Sequence, residues 1–249
     1  MVTPGTRAVL LQNAGYCPIC MSPTVFEAHD AWLRDSYHCP KCRTLPRHRA
    51  LVEILNYLRP SWRELTIHES SPSFSFFEKH CPRYSSSFYF EGVARGSYRN
   101  GMRCEDLLNL TFADETLDIF ITQDVMEHVL DPALACREIM RVLRPGGLYL
   151  FTAPKNKQLL RSFPRVELRD GAVQYLHPAD YHGSPIAGER SLVTWEYGAD
   201  FDDLIRSWTG YNVSDYIIRD RNKGIDGEYL NVFAVVKDSA NSALELAGN

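Results

Sequence analysis

Four cysteines fall into two matched pairs, C-P-I-C (Cys17, Cys20) and C-P-K-C (Cys39, Cys42), with 18 residues between them. Each C-x2-C turn directs two thiolates at one point, and the second pair completes a tetrahedron, so the four read as a zinc-ribbon site. A full shell of four sulfurs leaves no open coordination position. The Zn2+ is therefore structural, holding a segment too short to build its own core. A pair of disulfides is the rival reading. It is disfavoured by a reducing compartment and by three cysteines left over, Cys81, Cys104 and Cys136, which read as small core residues. His29 and His38 could replace a ligand, but the doubled C-P-x-C pattern favours four sulfurs.

The elements around these residues follow two rhythms. After the ribbon, TLPRHRALVEILNYLRP places Leu51, Ile54, Leu55 and Leu58 at helical spacing and stops at Pro60. Arg47, His48 and Arg49 begin that helix, either as a solvated first turn or as an anion-facing cluster. From residue 64 strands and helices alternate: ELTIHE, SFSFFEKH, SSFYFEG, GMRCEDL, LDIFITQ, DPALACREIMRVLRPGG and GLYLFTAP. Short strands alternating with helices imply a parallel sheet covered on both faces, with ligands at the carboxyl ends of its strands. In LTIHESSPSF the first strand runs into a turn of Glu69, Ser70, Ser71, Pro72 and Ser73 that has no glycine. Ser71 suits an N-cap and Pro72 a first helical position, so a helix is expected to start there. Residues 155–200 break the rhythm as an insertion, and NVSDYIIRD and EYLNVFAVVK close the sheet as a hairpin joined by RNKGIDG. The expected division is a ribbon over 1–46, an α/β domain over 47–240 with a covering insertion at about 155–200, and a flexible tail over 241–249.

Composition limits the function. The chain has 249 residues, 45% of them hydrophobic, which is ordinary for a globular protein. Its longest apolar runs, LDIFIT and LYLFTA, are too short to cross a bilayer, and MVTPGTRAVL lacks a signal-peptide charge pattern. A cytoplasmic protein without a membrane span is expected. Residues 1–60 hold seven Lys/Arg against four Asp/Glu, while the chain as a whole is at −4. That small basic excess on an acidic body is weak support for a nucleic-acid partner.

The run LDIFITQDVMEHVLDPALACREIMRVLRPGGLYLFTAP resembles the motif block of class I S-adenosylmethionine-dependent methyltransferases, the type 11-like kind with "EHV" after the fourth strand and "LRPGG" before the fifth. The likeness covers roughly residues 60 to 155, and implies a Rossmann-like α/β fold with a seven-stranded sheet. Carried onto this sequence, it implies that Glu69, Ser70, Ser71, Pro72 and Ser73 lie against the amino-acid part of S-adenosyl-L-methionine. It likewise implies that Glu91 holds the ribose hydroxyls and that Asp106 with Leu107 meets the adenine. Carboxylates suit hydroxyls and an exocyclic amine as hydrogen-bond acceptors. Gln123 and Asp124 would face the methyl-transfer centre.

Asp124, Glu127 and His128 form D-x-x-E-H, which resembles in part an acidic-x-x-Glu-His cluster that binds a divalent metal in some O-methyltransferases. The same two residues also occur as plain packing at a helix start. His128, with His177, Tyr181 and His182 on the insertion, is a candidate for the acceptor side, where a histidine can act as general base. The resemblance thus implies a methyltransferase acting on a small-molecule or glycan-linked acceptor at oxygen or nitrogen. The alternatives are an RNA methyltransferase that docks nucleic acid on its ribbon, and a non-catalytic binding protein of the same fold.

Overall fold

The structure is a computed structural model that describes residues 8–183 and 190–238. The expected tail over 241–249 lies outside the described residues, as does part of the 155–200 insertion. Two compact units emerge: one takes Met1–Pro60 with Tyr216–Val232, the other Ser61–Asp215 with Phe233–Asn249. No helix among the described residues is long and apolar enough to cross a membrane.

In the first unit, strands β1 (Leu11–Cys17) and β2 (Ser22–Ala28) form an antiparallel hairpin whose last pair is Cys17 and Ser22. Both knuckles end alike: Met21 and Arg43, each directly after a second cysteine, adopt left-handed backbone with φ of 52° and 62°. The short helix α1 (Leu33–Ser36) leads to α2 (Pro46–Leu58), where Pro46 takes the first helical position. The backbone N–H of Leu45 donates to His48 Nδ1 at 3.2 Å, satisfying one open group at that end.

The Arg47, His48 and Arg49 cluster is not anion-facing. Arg47 pairs with Asp35 at 2.8 Å, His48 is buried, and Arg49 has no exposed surface at all. Arg49 Nε donates to the Gly224 carbonyl at 3.0 Å, Nη2 to the Tyr37 carbonyl at 2.8 Å and Nη1 to the Thr44 carbonyl. Its guanidinium also lies 4.8 Å from the Phe26 ring. Gly224 is required there: at φ +67° a β-carbon would collide with that same ring. The segment after residue 215 is therefore part of this unit. The expected boundary at 46/47 does not coincide with the compact units, because α2 and the 216–232 connector share the core around Arg49.

The second unit is built on an eight-stranded sheet. Its strands are β3 (Ile67–Ser70), β4 (Tyr84–Phe88), β5 (Tyr98–Arg99), β6 (Met102–Cys104), β7 (Leu117–Gln123) and β8 (Leu143–Thr152), with β15 and β16 described below. Helix α3 (Phe76–His80) joins β3 to β4, and α4 (Pro132–Val142) joins β7 to β8. The insertion supplies six short strands, β9 (Phe163–Pro164), β10 (Val166–Arg169), β11 (Ala172–Tyr175), β12 (Tyr181–Gly183), β13 (Arg190–Leu192) and β14 (Trp195–Glu196). Helix α5 (Phe201–Thr209), β15 (Val213–Tyr216) and β16 (Val232–Val236) follow.

The strand order is β15-β16-β8-β7-β3-β4-β6-β5. β3 pairs in parallel with both β4 and β7, so the chain winds one way from β3 and the other way from β7. Seven of these strands are the expected ones, and β5 adds a two-residue antiparallel edge. Helix α4 starts as its sequence implies: Asp131 accepts from the Leu134 N–H at 2.8 Å and Pro132 follows. Its Ala135, Cys136 and Ile139 meet Phe201 and Ile205 of α5 in the core beside β8. Cys81, Cys104 and Cys136 are buried thiols, as expected of core residues.

Candidate functional site

The reversal of winding lies between β3 and β7, and a crevice at the carboxyl ends of such strands is where an open α/β sheet takes its ligand. Two residues there hold left-handed backbone without being glycine. Ser71, just past β3, has φ 54°, and Asp124, just past β7, has φ 51°. The expectation that Ser71 caps a helix is corrected: α3 begins only at Phe76, and Ser71 turns the chain instead, its N–H donating to the Ser87 carbonyl at 2.8 Å. A side chain in that conformation costs about 1 kcal/mol. Ser71→Gly is expected to raise stability by up to that amount in denaturant unfolding; a loss would show that the hydroxyl matters more than the backbone.

Glu69 is wholly buried, with Oε1 accepting from Gln123 Nε2 at 2.7 Å and Oε2 from the Tyr84 hydroxyl at 2.8 Å. Burial raises its pKa to about 7, although both hydrogen bonds pull the other way. Both carboxyl oxygens are thus engaged within the fold. The Gln123 Oε1 atom is itself buried with no hydrogen-bond partner among the described residues. Ser70 is buried, Pro72 half-buried and Ser73 exposed, so the turn offers a graded polar edge. Asp124 Oδ1 accepts from the Thr152 hydroxyl at 2.9 Å, which ties the ends of β7 and β8 together.

On the other side of β3, Glu91 lies in the turn past β4 and is exposed. Asp106 follows β6 and accepts from the Leu108 N–H at 2.9 Å, while Leu107 is buried. The pKa of Tyr89 is raised, first by its own partial burial and then by the negative charges of Asp106 and Glu91. Tyr89 is 60% exposed. Sequence reasoning missed this ring, which stands in SSFYFEG two residues before Glu91.

The loop after β7 is clamped by the insertion. The Thr194 N–H donates to the Glu127 carbonyl at 2.7 Å, the Thr194 hydroxyl to the Val129 carbonyl at 2.7 Å, and the Tyr197 hydroxyl to the Met126 carbonyl at 2.8 Å. His128 Nδ1 donates to the Leu192 carbonyl at 2.9 Å, leaving Nε2 with its lone pair. Burial lowers the His128 pKa, so the ring is neutral near pH 7. The His182 ring stands 5.2 Å from it, edge to face.

Alternation along β12 separates the other candidate. Tyr181 points the opposite way, its ring under Arg190 at 5.3 Å. His177 packs on Phe163 at 4.6 Å and is exposed. The structure therefore joins His128 with His182, and joins neither to Tyr181 or His177.

Residues 85–151, from β4 through β8, match the family model described as a methyltransferase domain. Together with the strand order, this decides the architecture. The body has the Rossmann-like methyltransferase fold. The methyltransferase-fold chain is 32% identical over 113 residues to an uncharacterised methyltransferase of Schizosaccharomyces pombe, covering 45% of this chain and 38% of that protein. It is 40% identical over 57 residues to a ubiquinone biosynthesis O-methyltransferase of Parvibaculum lavamentivorans, covering 23% of this chain and 22% of that protein. The chain thus spans well under half the length of these curated relatives. Among solved structures, an amino pentose methyltransferase from Micromonospora echinaspora aligns at a TM-score of 0.47 and 10% identity, covering 77% of this chain and 91% of that one.

The first unit gathers Cys17, Cys20, Cys39 and Cys42 with their sulfurs within 4.8 Å of one another. Cys17 and Cys42 lie 3.8 Å apart and Cys20 and Cys39 3.7 Å apart, as free thiols rather than disulfides. A tetrahedron with Zn–S bonds of about 2.3 Å has edges of about 3.8 Å. His38 is no substitute ligand: its Nε2 accepts from Arg43 at 3.2 Å and its Nδ1 donates to the Ser36 carbonyl at 3.0 Å.

Proposed function

We propose that the chain is an S-adenosylmethionine-dependent methyltransferase acting on oxygen or nitrogen of a small-molecule or glycan-linked acceptor, with a structural Zn2+ in the four-cysteine cluster. The observation that carries this reading is the Gln123 amide oxygen, a buried acceptor without a partner among the described residues, at the reversal between β3 and β7. An unmatched buried acceptor costs about 1–3 kcal/mol, so it calls for a donor such as the ammonium of the methionine end. The cofactor supplies an electrophilic methyl group on a sulfonium.

The chain's own residues do the rest. Glu69 fixes the Gln123 amide, and the Ser70, Ser71, Pro72 and Ser73 turn holds the amino-acid end. Glu91 takes the ribose hydroxyls, and Asp106 with Leu107 and the Tyr89 ring takes the adenine. Methyl transfer depends mainly on bringing donor and acceptor together and excluding water. Residues 190–197 of the insertion, bonded onto the loop after β7, serve that exclusion. Glu127, His128 and His182 stand on the acceptor side. The RNA-docking alternative draws no support, because basic residues of the first unit carry acidic partners: Arg47 with Asp35, Arg219 and Arg221 with Asp226, and Lys223 with Glu53.

Calorimetric titration tests the proposal. S-adenosylmethionine and S-adenosylhomocysteine are expected to bind the purified chain, and Gln123→Leu to weaken both by about tenfold, the loss of one charge-assisted hydrogen bond. No heat at millimolar cofactor, with the four-cysteine unit folded, would overturn it.

A further inference from the structure

We infer that Glu127, His128 and His182 form a binding site for a divalent metal ion, distinct from the four-cysteine cluster and completed by the insertion. One carboxylate oxygen and two imidazole nitrogens from these residues lie within 4.8 Å of one another. Glu127 Oε1 and His128 Nε2 are 3.9 Å apart, about half an ångström wider than two tetrahedral donors at about 2.1 Å from one ion, so binding draws them together slightly. His182 is exposed and sits on β12, so its side chain can change rotamer to bring a ring nitrogen closer.

The surroundings are those of a built site. Glu127 is 1% exposed, and the turn that carries it is fixed by the three hydrogen bonds from Thr194 and Tyr197. The Leu192 carbonyl holds His128 Nδ1 and so directs Nε2 inward, the outer-shell contact by which a ligating histidine is oriented. The motif in the sequence suggested a different trio. Asp124 turns its Oδ1 to Thr152, and His182, some fifty residues downstream, takes the third place.

Two imidazoles and one carboxylate on a partly exposed wall suit Mn2+, Fe2+, Co2+ or Zn2+ and leave coordination positions open. An acceptor oxygen entering such a position would lose its proton more readily, which is the assistance that methylation of a hydroxyl needs. That last step rests on the methyltransferase reading; metal binding itself does not.

Manganese alone is the probe, since it competes poorly for thiolates. Titration of the full chain followed by electron paramagnetic resonance is expected to show one Mn2+ bound per chain. His182→Ala, at an exposed position that the fold does not need, should weaken binding at least tenfold. Glu127→Gln should do the same, and cofactor binding measured by calorimetry should be unchanged in His182→Ala. Wild-type chain that binds no Mn2+ up to 1 mM, or His182→Ala with undiminished affinity, overturns the site while leaving the cofactor proposal standing.

Discussion

Arg49→Met is expected to destabilise the first unit by about 2–6 kcal/mol, and to release the proposed Zn2+ well below the melting temperature of the second unit. The guanidinium donates to the carbonyls of Gly224, Tyr37 and Thr44 in a place with no exposed surface. Methionine fills much of the volume but offers no donor. The Thr44 carbonyl keeps its bond from the Cys39 N–H, but the buried acceptors at Gly224 and Tyr37 lose their donor, each costing about 1–3 kcal/mol before any rehydration. Burial also lowers the arginine's own pKa to about 10, still far enough above neutrality that the group remains charged. Thermal unfolding followed alongside zinc release with a chromophoric chelator would measure this. One unchanged transition with zinc retained would mean that the 216–232 segment is held by other contacts.

The pH profile of stability should show two opposing slopes that nearly cancel. His68 is wholly buried between Ser85 and Ser87, with ring nitrogens 2.8 and 2.9 Å from their hydroxyls. Burial, with a smaller push from Arg103, takes its pKa from 6.5 to about 3. Between those values the unfolded chain binds a proton that the folded chain refuses, so this group makes stability rise with pH. Glu69, the next residue along β3, behaves in reverse. Its pKa rises from 4.5 to about 7, so between those values the folded chain keeps a proton that the unfolded chain has released, and stability falls as pH rises.

Each slope is at most about 1.4 kcal/mol per pH unit. In the shared window the wild-type profile should be nearly flat with respect to this pair. His68→Asn should uncover a decline with rising pH, and Glu69→Gln a rise. The comparison is of slopes, so any constant loss from the substitution itself drops out. Two variants with parallel profiles would sink the assignment.

The sheet was legible because its signal is local. LDIFITQ and GLYLFTA are continuous apolar runs, and Asp131-Pro132 announces its helix in two residues. The turn after β3 was misread for a physical reason. Ser-Pro suits a helix start, but the chain first needs a left-handed residue, and a helix of five residues leaves no periodic pattern to reveal the true start. The insertion was visible only as a break, since strands of two to four residues pair through contacts that no local spacing encodes. His128 could be picked out from its motif. Its pairing with His182 could not, because it depends on which face of β12 turns inward. The gathering of the four cysteines was legible, whereas the buried role of Arg49 was hidden: its acceptor at Gly224 is 175 positions away.

That separation also sets an order of events during synthesis. The two knuckles of the first unit are complete once residue 42 has been made, yet the carbonyls that receive Arg49 and Arg34, at Gly224 and Tyr229, follow their partners by 175 and 195 residues. At about 5–20 residues per second this is a delay of about 10 to 40 seconds. During it the nascent ribbon carries a buried-type arginine with no acceptor from the connector. The module translated first is thus the one that matures last, and its final closure waits on the segment that leads into β16.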